Sequence, residues 1–113
     1  MRRGHERISS DFYVNKVVDG VPYLARTRDL SSTGVYLHRL IEPRVRPDAS
    51  VALQFVFPGT EEILWADVDV VRYDRDSGFG LKFRSLTPRV NRLLADYLSA
   101  RRPFGEDSPG RLV

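Results

Sequence analysis

A chain of 113 residues has room for one domain and one modest core, not for two. It holds no cysteine, so disulfides and thiolate metal sites are excluded, and 42% hydrophobic with 29% charged residues is the make-up of a folded globular chain. The net charge of +3 leans toward an anionic partner without identifying one.

Of the 18 basic side chains 16 are arginine, whose planar fork suits phosphate and purine edges. Coding bias in a GC-rich genome explains that skew equally well, so position must carry the argument. No apolar run approaches the roughly 20 residues of a membrane span. Residues 1–11 lack the apolar stretch of a signal peptide, and the cytoplasm is the expected compartment.

Residues 1–11 carry Arg2, Arg3, Glu6 and Arg7 with almost no apolar content, and read as an N-terminal arm that is mobile when nothing holds it. Residues 12–18 are β-branched and aromatic, Asp19-Gly20 is a two-residue turn pair, and residues 21–28 resume an extended pattern. That is a hairpin. Asp29-Leu30-Ser31-Ser32-Thr33-Gly34 then forms a polar turn before a short strand, residues 35–37, and a loop with Pro43 and Pro47.

Val51, Leu53, Phe55 and Phe57 alternate with Ala52, Gln54 and Val56, a period of two. From residue 63 to 73 the alternation is cleaner, with Leu64, Ala66, Val68 and Val70 on one face and Trp65, Asp67 and Asp69 on the other. Residues 79–84 place Phe79, Leu81 and Phe83 together after a polar turn at 74–78. Six or seven short strands in succession imply an antiparallel sandwich or barrel.

The period changes at the end. Thr87 is a helix N-cap with Pro88 at the first helical position, and Val90, Leu93, Leu94, Tyr97 and Leu98 form one apolar stripe. This amphipathic helix should cover an open end or flank of the barrel, with Arg89, Arg92, Asp96 and Arg101 in water. Residues 12–102 thus form the folded unit and residues 103–113, rich in glycine and proline, a loose tail.

Catalytic constellations are hard to assemble from this material. His5 and His38 are the two histidines, and there is no Gly-x-Ser-x-Gly elbow. Asp67 and Asp69 share a strand face and read as its solvated side rather than a cation site. Gly78 and Gly80 lack the following helix of a phosphate loop and read instead as a tight strand entry. Trp65 is placed opposite the apolar row, where packing under the helix is the simpler account and a partner surface the other. The chain is read as no enzyme, with no metal and no cofactor.

Two motifs remain: Arg3-Gly4-His5-Glu6-Arg7, an RxxxR pair, and Asp29 to Gly34, a complete DxSxxG, in that order. Together they resemble the signature of PilZ domains, which bind the bacterial second messenger cyclic di-GMP. The likeness extends to Val68-Asp69-Val70-Val71-Arg72 and Gly78-Phe79-Gly80-Leu81-Lys82-Phe83, and spans about residues 2–100. It implies an all-β fold with one helix: a six-stranded antiparallel β-barrel plus a C-terminal amphipathic α-helix.

The resemblance also implies a site. Arg3 and Arg7 match the family arginines, which pair with phosphate, fork onto guanine O6 and N7, or stack on the purine. Asp29 matches a position whose carboxylate accepts from guanine N1–H or N2–H, a donor edge adenine lacks. Ser31 matches the family serine, a phosphate or base contact, and Gly34 keeps the turn clear of a side chain. Arg2, just before the motif, adds a phosphate contact or changes how many ligands bind. Two phosphates would draw the arm across the barrel, making the chain, with no output domain of its own, a switched adaptor for an unidentified protein target.

Two other readings stand beside this one. The first is a PilZ-fold protein-interaction module that binds no nucleotide. The second is a small basic barrel for RNA or single-stranded DNA, which needs exposed aromatics along a basic stripe. Phe12, Phe55, Phe57, Phe79 and Phe83 instead fall on core positions, so nucleic acid is not the expected partner. Monomer and homodimer are both open, as is the process controlled, motility or exopolysaccharide output among them.

Overall fold

The computed structural model of the chain describes residues 6–38, 40 and 49–101. The described residues form seven strands and one helix: β1 Ile8–Ser9, β2 Tyr13–Val18, β3 Val21–Leu30, β4 Gly34–His38, β5 Val51–Phe55, β6 Leu64–Asp74, β7 Gly78–Ser85 and α1 Pro88–Arg101. Every pairing is antiparallel. The order β3-β2-β5-β6-β7-β4 returns to β3, so six strands close into a barrel.

Local chemistry starts the ring. Asp19 and Gly20 both take positive φ, 50° and 85°, the backbone twist that a two-residue turn between antiparallel strands requires. Val18 then faces Val21 directly. Asp19 also accepts from the backbone N–H of Ser50 through Oδ1, tying the hairpin tip to the approach of β5. The alternating residues Val51, Leu53 and Phe55 of β5 and Leu64, Ala66 and Val68 of β6 turn inward together, as their period of two demands.

The helix closes one end of this interior. Val90, Leu94, Tyr97 and Leu98 are buried, and Leu94 lines the same apolar space as Val14, Leu30, Val35 and Leu53. Tyr97 stacks on Phe57 at 4.7 Å and meets Phe12 edge-on at 5.7 Å, a packing mode aromatic pairs prefer. Thr87 caps the helix as its position predicts, accepting from the backbone N–H of Val90 at 3.2 Å. Arg89 pairs with Glu62 across the surface, which holds the Glu62 carboxyl below the usual carboxylate range.

Three expectations change. Within the segment read as an arm, Ile8 and Ser9 pair with Leu30 and Asp29 of β3, and Ile8 is only 7% exposed. One apolar side chain suffices to anchor it, because β3 offers an open edge beyond the end of β2. Trp65 does not pack under the helix: it stays 51% exposed on the outer wall, facing Gln54, where Asn15 and Gln54 join their amides at 2.8 Å. Gly80 lies within β7 rather than at its start. Residues 1–5, 39, 41–48 and 102–113, which include Arg2, Arg3, most of the proline-marked loop and the tail, lie outside the described residues.

Thr87→Ala removes the cap and should cost about 1 kcal/mol, read as a lower urea midpoint with an unchanged slope.

Candidate functional site

Alternation along β3 points Ala25 and Thr27 inward and Arg26 and Arg28 outward, which by strict period would turn Asp29 into the core. A carboxylate there would lose its hydration with no partner to replace it. The register avoids this. Thr27 faces Leu37 and Asp29 faces Tyr36, so Arg28 is an extra residue, a β-bulge that puts Arg28 and Asp29 on the outer wall side by side and returns Leu30 to the interior.

A second bulge in β6 completes the arrangement. Val70 faces Leu81 and Arg72 faces Gly80, leaving Val71 over. Since Tyr36 also faces Gly80, one row crosses four strands: Asp29 on β3, Tyr36 on β4, Gly80 on β7 and Arg72 on β6. Gly80 lets Arg72 and Tyr36 close over the row's centre, because a Cβ there would stand 3.1 Å from Arg72 Cβ and 3.7 Å from Tyr36 Cδ2.

Charge gathers along this row. Arg7 donates through Nε to Asp29 Oδ1, and Arg28 donates through Nε to Asp29 Oδ2 at 3.0 Å. One carboxylate thus holds two guanidiniums, both about half exposed. The Arg28 guanidinium lies over the Tyr36 ring, 3.8 Å from its centroid. Tyr36 donates its hydroxyl hydrogen to Asp74 Oδ2 and has Ser77 Oγ at 2.8 Å, while Arg72 pairs with Asp74 at 3.0 Å. Burial, then the bond to Asp74, raises the Tyr36 phenol above its ordinary value, so it remains a donor at neutral pH. The bond from Tyr36, aided by Arg72, lowers the Asp74 carboxyl.

The rest of the hexapeptide shapes the turn. Ser31 is 0% exposed, and its Oγ accepts from the backbone N–H groups of Thr33 and Gly34, both at 3.2 Å. Its own N–H donates to the Gly34 carbonyl at 2.8 Å. A hydroxyl so enclosed sets the chain reversal and offers nothing outward in this state. Gly34 is required by packing between strands: a Cβ would come within 2.2 Å of the Leu81 carbonyl oxygen. The close approach of β4 to β7 therefore demands glycine here before any ligand is considered.

Of the residues singled out from sequence, the structure brings together Arg7, Asp29, Ser31 and Gly34, while Arg2 and Arg3 lie outside the described residues. It adds Arg28, Tyr36 and Arg72, for which the sequence holds no signal beyond residue type, since register alone unites them. Asp69, weighed as a cation ligand, pairs with Arg84, and no metal-binding cluster occurs among the described residues. Sequence reading also passed over Lys16. It is 1% exposed inside the barrel, its ammonium 3.5 Å from the Phe79 ring centroid.

The described residues thus form a small closed barrel with a row of paired arginines and carboxylates on its wall. The chain belongs to the PilZ domain family, whose sequence model matches residues 1–100. A search of the curated proteins finds no match. Among solved structures it resembles the Bacillus subtilis inhibitor of motility MotI/DgrA (TM-score 0.75, 15% identity, 90% of this chain and 51% of that one). It also resembles the PilZ domain of CeSA from a cellulose synthesizing bacterium (0.65, 15%, 84% and 96%). A third is Borreliella burgdorferi PlzA in complex with c-di-GMP (0.63, 16%, 85% and 40%). The chain therefore spans about half of MotI and less of PlzA. No helix among the described residues is long and apolar enough to cross a membrane.

Gly34→Ala should destabilise the fold by about 2 to 3 kcal/mol, the upper range for overpacking, because backbone and not a movable side chain blocks the methyl. Equilibrium unfolding would show this without any ligand. The raised Tyr36 phenol gives stability that is full below about pH 10 and is lost as pH rises through its folded value. Wild type should therefore lose melting temperature more steeply in alkali than Tyr36→Phe.

Proposed function

We propose that this protein binds cyclic di-GMP on the outer wall of the barrel and acts as a ligand-switched adaptor for another protein. The observation that carries this reading is the contact between the two motifs: Arg7, from RxxxR, lies on Asp29, from DxSxxG, with Arg28 on the same carboxylate. Nothing in barrel packing needs this contact, since the groups lie on the solvent side.

The chemistry of a cyclic dinucleotide matches it. Two phosphates call for several cations in one place, and Arg7 and Arg28, with Arg3 and Arg2 beyond them in sequence, supply them. Asp29 selects the base, because its carboxylate accepts from the N1–H and N2–H edge of guanine and would be left unpaired by adenine. Ser31 and Gly34 act as turn formers that hold Asp29 in place. As the ligand's phosphates take over Arg7, the Asp29 oxygen that held it is released to the base while the other keeps Arg28, an exchange of one charge-assisted bond for another.

Output follows from the same exchange. Residues before β1 gather on the wall around the bound anion and change the surface that a partner reads. Neighbours named for motility inhibition and for cellulose synthesis suggest motility or exopolysaccharide output in a bacterial cytoplasm as the setting.

Calorimetric titration tests the reading. Cyclic di-GMP should give saturable heat where cyclic di-AMP gives none. Arg7→Ala and Asp29→Ala should each weaken binding at least tenfold, about 1.4 kcal/mol, within the range for losing a charged hydrogen bond. No saturable heat from folded wild-type protein would refute it.

A further inference from the structure

We infer that Arg28, backed by Tyr36, is the plate on which a guanine base of the ligand stacks, so that this chain reads its ligand by base stacking from the barrel wall as well as by charge. The inference rests on the reading that the site takes cyclic di-GMP, and assigns a binding role to a residue outside both sequence motifs.

Arg28 is held as a surface arginine serving solubility would not be. One face of its guanidinium lies on Tyr36, 3.8 Å from the ring centroid, and its Nε is fixed at 3.0 Å by Asp29 Oδ2. Tyr36 is itself pinned by Asp74 and Ser77 at its hydroxyl, and Arg72 pins Asp74. The plane is thus set before any ligand arrives, and the side-chain entropy a base would otherwise have to freeze is already spent.

Exposure decides which group meets the base. Tyr36 is 4% exposed, so its ring is not open to a purine, whereas the Arg28 side chain is 48% exposed. With the tyrosine on one side, the other face of the guanidinium is the one a base can cover.

Stacking and selection then fall to adjacent residues. A guanidinium stacks on any purine, since every base has a π-face. Asp29, one residue on, accepts only from a base with donors on that edge. Arg28 would supply affinity and Asp29 the choice of guanine.

The test compares wild type, Arg28→Lys and Arg28→Gln for cyclic di-GMP affinity across a range of salt, with thermal midpoints recorded beside each. Lysine keeps the charge and can still reach Asp29, but has no plane. Stacking predicts that Arg28→Lys binds about tenfold more weakly with the salt dependence of wild type, and that Arg28→Gln binds more weakly still with a shallower dependence. If Arg28→Lys binds as wild type does and only Arg28→Gln loses affinity, Arg28 acts as a charge and the inference is overturned. Wild-type protein that binds no cyclic di-GMP overturns the proposed function, and this inference with it, a result visible before either variant is examined. Should Arg28→Lys not fold, Tyr36→Leu, which removes the backing ring, must show the same loss or the plate is not one.

Discussion

Two residues of β3, Arg28 and Asp29, stand opposite a single residue of β4, Tyr36. That bulge lets the strand satisfy two demands that simple alternation sets against each other. Thr27 and Leu30 both face the interior, three positions apart, and between them a charged pair stays in water. Without the extra residue, either the Asp29 carboxylate enters a barrel lined by Val35, Leu37 and Leu81, or Leu30 leaves it. Either outcome costs several kcal/mol for the buried charge or roughly 2 for the exposed leucine. Site geometry and core packing are therefore set by one local irregularity.

Much of the DxSxxG motif works beneath the site rather than in it. Ser31 spends its hydroxyl on the turn, and Gly34 allows β4 to approach the Leu81 carbonyl, so that Tyr36, two residues on, meets Gly80. Asp29 alone presents its functional atoms on the wall, where both oxygens carry guanidiniums. A residue can be essential to such a site by fixing where its neighbours stand, and substitution at Ser31 or Gly34 is felt first as stability.

The arginine-rich surface is organised largely by pairs. Arg26 with Asp11, Arg84 with Asp69 and Arg89 with Glu62 are exposed ion pairs, each contributing little to stability. The Arg7, Arg28 and Arg72 group differs in converging on the less exposed Asp29 and Asp74 and the buried Tyr36. Lys16 is the contrasting case, a cation within the barrel whose stem fills space beside Phe79.

The sequence by itself determined what depends on neighbours along the chain. Asp19-Gly20 specified the hairpin turn, the period of two in residues 51–55 and 64–68 specified inward and outward faces, and Thr87-Pro88 with its apolar stripe specified the helix. The two motifs marked Arg7 and Asp29 as candidate ligand contacts, without joining them to each other. Tertiary structure decided what depends on register. Whether Asp29 faces in or out, whether Arg72 lies across from Tyr36, and whether Ile8 joins the core are settled by strands that meet from tens of residues away, and a shift of one residue reverses every face. A bulge marks the sequence only as a slip in alternation, and which residue is extra is fixed only when one strand is measured against another.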